Sequence, residues 1–129
     1  MNKGKFIFSQ VIDFLPRYEF DKIVNKYKGD YRYRHLTSYN HLLHLIFGQL
    51  SACDSLRDIC LCLKAHEKWL YHLGFRQTVN ESSLSRAGEN RDHHIFEELG
   101  AVLIKMARPL YAKENIPDVW LPEWEIFAL

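Results

Sequence analysis

The sequence predicts an all-α fold: a multi-helix bundle with a helix-turn-helix-like segment, followed by a short C-terminal extended strand. Three observations predict it. Apolar residues recur at i, i+3, i+4 and i+7 over much of the chain, the spacing of helices that bury one face. Residues that start and stop helices, among them Thr37, Ser38, Ser55 and Asn80 on one side and Pro16, Gly29 and Gly74 on the other, fall between those segments. Finally, 129 residues, 47% of them hydrophobic, are enough for one core and too apolar for a disordered chain.

Taken in order, Phe8 to Leu15 reads as a short helix stopped by Pro16, whose ring removes a backbone donor. Phe20, Ile23, Val24 and Tyr27 mark a second helix that Lys28-Gly29-Asp30 ends. Tyr31 to His35 is a basic, aromatic linker. Thr37 or Ser38 caps a third helix carrying Leu42, Leu43, Ile46, Phe47 and Leu50, wide enough in its apolar face to be central. Asp54-Ser55 starts a fourth, with Leu56, Ile59, Cys60 and Leu63 on one face. Trp69, Leu70 and Leu73 form a short helix ending at Gly74, and Phe75 to Val79 is a turn. Asn80 caps Glu81 to Asn90. A long last helix follows, with Ile95, Leu99, Val102, Leu103, Met106 and Leu110 on one stripe and Pro109 near its end. Pro117 and Pro122 then break the helical pattern, and Trp124 to Leu129 reads as a strand with no β partner elsewhere in the chain. The organisation expected is a helical domain over 1–115 and a linker with a lead-in strand over 116–129.

Charge and composition narrow the function. The net charge is +1, from 17 bases and 16 acids. Before residue 50 the bases outnumber the acids; after residue 91 acids predominate. That asymmetry orients a domain on a polyanion, although solvated helix faces produce the same pattern. No stretch is long and apolar enough to span a membrane, and no signal peptide is expected, since Ser9, Gln10 and Asp13 interrupt any apolar run behind the basic start. Cys53, Cys60 and Cys62 are an odd, clustered set, which suits a reducing cytoplasm rather than a disulfide framework. There is no glycine-rich phosphate loop, nucleophile elbow or acid pair with a partner, so no catalytic residue, cofactor or small-molecule substrate is expected. The cysteines with His66 lack metal-site spacing, and no metal ligand set is expected. His41, His44, His93 and His94 are expected at caps or on the surface, with the adjacent His93 and His94 facing differently.

Two segments carry nucleic-acid chemistry. The sixth helix has one large apolar anchor, Leu84, with Ala87 as small packing; the rest is Ser82, Ser83, Ser85, Arg86 and Asn90. Small polar side chains let a helix enter a groove closely, and Arg and Asn reach base edges or phosphates. The same pattern fits a polar helix that closes a bundle. Lys28, Arg32 and Arg34, interleaved with Tyr27, Tyr31 and Tyr33, together with Arg91, suit the phosphate backbone; a solvated loop with packed tyrosines is the alternative.

Several segments together resemble a family, the N-terminal domain of bacterial insertion-sequence transposases of the insertion-sequence-four type. They are Phe8-Ser9-Gln10 with Pro16-Arg17 and Phe20; Gln49-Leu50-Ser51; Ser55 to Ile59; His72-Leu73-Gly74; and Ser82 to Ala87 with Arg91. The resemblance covers nearly the whole chain. It implies double-stranded DNA, the terminal inverted repeats of an insertion sequence, as partner, with a homodimer also expected; a helical dimerisation module of a transposase is the second reading. Such enzymes cut DNA with an Asp-Asp-Glu triad on an RNase-H-like domain. There a strand like Ile126 to Leu129 leads into the first aspartate, so no triad member is carried onto this sequence. Gly88 departs from the family pattern where an asparagine is usual, which removes a base-reading amide. Glu81 departs too: it suits the helix dipole but repels phosphate.

Overall fold

The structure, a computed structural model, describes residues 7–76 and 79–114, with side chains followed as far as Leu110. The predicted strand over 124–129 and the whole 116–129 segment lie outside the described residues. The described residues form an all-α fold of seven helices: α1 (Ile7–Ile12), α2 (Arg17–Tyr27), α3 (Ser38–Leu50), α4 (Leu56–Ala65), α5 (Leu70–Leu73), α6 (Glu81–Asn90) and α7 (His94–Glu114). Among the described residues, no helix is long and apolar enough to cross a membrane.

The caps act where the sequence places them. Thr37 accepts a hydrogen bond from the Asn40 backbone N–H, Ser55 from Asp58 and Asn80 from Ser83, each satisfying a donor that a helix start leaves free. Gly74 closes α5 at φ 94°, a left-handed position that costs glycine nothing. α2 stops at Lys28-Gly29-Asp30 as expected, with Lys28 taking the left-handed turn at φ 53°. Gly29 is required for space instead: a Cβ there would lie 2.5 Å from Ser38 Oγ and 2.6 Å from Ile95 Cδ1. The chain after α2 therefore runs hard against α3 and α7.

Two apolar clusters share α3. One joins Phe8 of α1, Leu43, Ile59, Leu63, Leu70, Leu73, Phe75, Leu84 and Ala87; the other joins Phe20, Ile23 and Val24 of α2 with Leu42, Ile95 and Leu99. Tyr39 and Ile46 of α3 pack against both. Phe8 stacks on Phe75 at 5.6 Å between centroids and meets Phe47 edge-on at 5.7 Å, arrangements that suit ring quadrupoles. α4 packs on α3 and α6, and α2 lies along α7.

Three readings of the sequence are corrected by this packing. Leu50 is 52% exposed, because the last turn of α3 sets Gly48, not Leu50, against Ile59 of α4. The buried arc of α3 includes polar Ser38, Asn40, His41 and His44 instead; a helix held between two clusters has little free surface, so His41 and His44 are core residues rather than surface ones. The helix expected around Trp69 splits into a 3-10 turn (Glu67–Trp69) and α5, with Trp69 half exposed while Leu70 and Leu73 are buried. On α7, Met106 and Leu110 continue the apolar stripe but are 50% and 65% exposed, since α2 is only 11 residues long against the 21 of α7.

Candidate functional site

α6 is anchored by its two apolar residues, Leu84 and Ala87, each 1% exposed. This frees the polar side of the helix. Asn80, Ser83, Arg86 and Asn90 recur at three- and four-residue spacing, so they share one stripe. That stripe forms one wall of a groove of about 550 Å³. The opposite wall is the linker between α2 and α3, through Arg32, Tyr33, Arg34 and His35. Among the described residues, no carboxylate lines the groove. Arg32, Arg34 and Arg86 form no ion pair with any described carboxylate, so their charge is available to an anion.

The linker wall is built rather than draped. Turns close from Tyr31 N to Lys28 O at 3.1 Å and from Tyr33 N to Asp30 O at 3.1 Å. Arg32 sits in the left-handed region at φ 66°, a conformation that costs a residue bearing a Cβ roughly 1–2 kcal/mol and is held there by its surroundings. Asp30 Oδ1 accepts from Ser38 N at 2.6 Å, tying the linker to the start of α3.

The strongest tie is Arg91, which corrects the expectation that it lies on the DNA backbone. Arg91 is only 5% exposed. Its Nε donates to Gly29 O at 3.0 Å, Nη2 to Leu36 O at 2.6 Å and Nη1 to His41 Nδ1 at 2.9 Å. The guanidinium also lies 4.0 Å from the centre of the Tyr33 ring. One side chain thus grips both ends of the linker from the α6–α7 junction. Since His41 Nδ1 accepts, the ring proton sits on Nε2. Burial, with the Arg91 charge next, lowers the His41 pKa to about 4. His44 is also pushed below the usual histidine range by burial; its Nδ1 donates to Asn40 O at 2.6 Å, while Nε2 has no hydrogen-bond partner.

The structure therefore sorts the residues expected at the site. Arg32, Arg34, Ser83, Arg86 and Asn90 meet in the groove. Ser82, Ser85 and Lys28 do not line it: Lys28 is exposed at the end of α2, and Ser82 and Ser85 lie on the other flank of α6. Tyr33 and His35 join from the linker, and Asn80 adds a second role beside its cap. Glu81 is exposed in the first turn of α6 and absent from the groove lining, so the repulsion expected of it is displaced from the cationic wall. A Cβ on Gly88 would meet nothing within 4 Å. Gly88→Ala is therefore expected to stabilise the domain by roughly 0.5–1 kcal/mol through helix propensity, readable as a higher urea midpoint; a lower midpoint contradicts it.

Two other clusters resolve into structural roles. Asp92, His93 and His94 lie within 4.8 Å of one another, and the two imidazoles are 4.1 Å apart rather than facing differently. The Asp92 carboxylate already accepts from the His94 backbone N–H at 3.0 Å and meets His94 Nδ1 at 2.7 Å, which is the start-of-helix arrangement that a negative charge favours. Cys53, Cys60 and Cys62 are free and half-buried. Burial pushes the Cys53 and Cys60 thiols up, away from the thiolate that binds metal.

No curated protein and no solved structure matches the chain. One family does match, over residues 3–76, which is more than half of the 129 residues and contains the linker wall of the groove while α6 and α7 lie beyond it. The chain belongs to that family, DUF4372, a domain of unknown function typically found in transposase-like proteins.

Proposed function

We propose that this chain recognises double-stranded DNA as the N-terminal domain of a transposase, in the cytoplasm, and leaves strand cleavage to another part of that enzyme. The observation that carries the reading is the groove. Arg32 and Arg34 of the linker face Arg86, the one base of α6, across it, and among the described residues no carboxylate lines it. Phosphates are bound by arginines free of internal partners, and small polar residues on a helix let the duplex come close. Arg86 and Asn90 on α6 would read base edges, with Ser83 beside them, while Arg32 and Arg34 hold the phosphate backbone. The resemblance to transposases of the insertion-sequence-four type makes the terminal inverted repeats the expected target.

The test is a gel-shift titration with a duplex of the element's terminal repeat against a scrambled duplex, at two salt concentrations. Affinity is expected to fall with salt. Arg86→Ala is expected to weaken the repeat complex by roughly 1–3 kcal/mol and to narrow its margin over the scrambled duplex. Arg34→Ala is expected to weaken both duplexes alike and flatten the salt slope. If Arg86→Ala binds as tightly as the parent, α6 is not the reading helix.

A further inference from the structure

α7 presents a second surface, on the side of the helix opposite the buried Ile95 and Leu99. Glu97, Ala101, Ile104 and Arg108 recur there at spacings of four, three and four, so they form one stripe. They line a shallow apolar groove together with Gly100 and Lys105. The stripe is ordered by charge: an acid at its N-terminal end, small and aliphatic residues in the middle, two bases at its C-terminal end. The Glu97 carboxylate is exposed and meets only His93, at 3.8 Å. Lys105 and Arg108 form no ion pair with any described carboxylate.

We propose that a second copy of this chain docks on this stripe, the two α7 helices antiparallel about a two-fold axis that passes midway between Ala101 and Ile104. A two-fold contact needs a surface complementary to itself, and this one is. Reversing the helix about that point sets Glu97 of one copy opposite Arg108 of the other, and Ala101 opposite Ile104. The small residue forms a hole for the branched one, and Gly100 lets the backbones approach. A parallel arrangement would set acid against acid and base against base. The stripe runs over about three turns, roughly 17 Å, so the interface is small and the dimer is expected to depend on concentration.

Sedimentation equilibrium of the full chain without DNA tests this. The parent is expected to show a monomer–dimer equilibrium. Glu97→Arg and Arg108→Glu each replace two cross-copy attractions by repulsions, and each is expected to raise the dimer dissociation constant about tenfold or more. The double variant restores the pairing with reversed sign and is expected to return near the parent. A parent that stays monomeric, a dimer indifferent to both single changes, or a double variant no better than the singles overturns the proposal. Both positions are exposed and neither lines the Arg86 groove, so failure here leaves the DNA-binding reading untouched; circular dichroism of each variant confirms that α7 still forms.

Discussion

Replacing Arg91 with leucine is expected to destabilise the domain by about 3–5 kcal/mol, because three buried acceptors lose their charged donor at once. Leucine keeps much of the volume but none of the donors. Gly29 O, Leu36 O and His41 Nδ1 would each lose a bond now made at 2.6–3.0 Å, and an unsatisfied buried acceptor costs roughly 1–3 kcal/mol. Domains of this size are stable by only about 5–15 kcal/mol, so the loss is large. Arg91→Lys is expected to recover little, because a single ammonium cannot span three acceptors held by a planar fork. Urea unfolding followed by circular dichroism checks the magnitude; a loss below about 1 kcal/mol would show that the linker stands without its clamp. The same variant carries a functional consequence. With both linker ends released, Arg32 and Arg34 lose their fixed position across from α6, so on the proposed reading the affinity for DNA is expected to fall although Arg91 does not line the groove.

Lowering the pH from 7 to 4.5 is expected to cost the fold on the order of 2–3 kcal/mol. The sign follows from the histidines. His41 titrates near 4 in the fold, mainly because it is buried, and His44 is shifted in the same direction. In the unfolded chain both return to about 6.5. Below that value the unfolded state takes up protons that the fold refuses, so stability is complete above about pH 6.5 and declines as the pH falls towards 4. Geometry agrees. A proton on His41 Nδ1 would face the Arg91 guanidinium, and one on His44 Nε2 would point into the core beside Phe75, whose ring lies 5.0 Å away. Asp92 and Glu98 are held below their ordinary values by hydrogen bonds, from His94 and from Tyr27 and Lys26 respectively, but their contribution is lost only at lower pH, so the upper window belongs to the histidines. His41→Gln keeps an acceptor for Arg91 without titrating. It is expected to lower stability at pH 7 while flattening the slope between pH 6.5 and 4.5. A parent with no slope in that window refutes the assignment.

The helices themselves were legible because their signals are local. Thr37, Ser55 and Asn80 cap where a free backbone donor needs an oxygen, Gly74 stops α5, and the spacing of Leu84 and Ala87 tells which side of α6 is buried. Half of the candidate groove was legible for the same reason: a helix of small polar residues with one arginine is visible in any window of ten residues. The rest depends on neighbours that sequence distance hides. Which end of α3 is buried, and hence the fate of His41, His44 and Leu50, is decided by α2 and α7 arriving on one side and α1 and α4 on the other.

Arg91 shows the division most clearly. An arginine between two helices, beside other bases, reads as a surface cation, and its own segment contains nothing to suggest otherwise. Its partners Gly29, Leu36 and His41 lie 50 to 62 residues away. By itself, then, the sequence determined the helical class, the caps and the residue types of the α6 stripe and the linker. Tertiary structure alone decided which of the cations have no ion pair with a described carboxylate and which one holds the linker in place. The physical reason is that helix periodicity is set by hydrogen bonds four residues long, whereas burial of a charge is set by whatever carbonyls the rest of the chain brings to it.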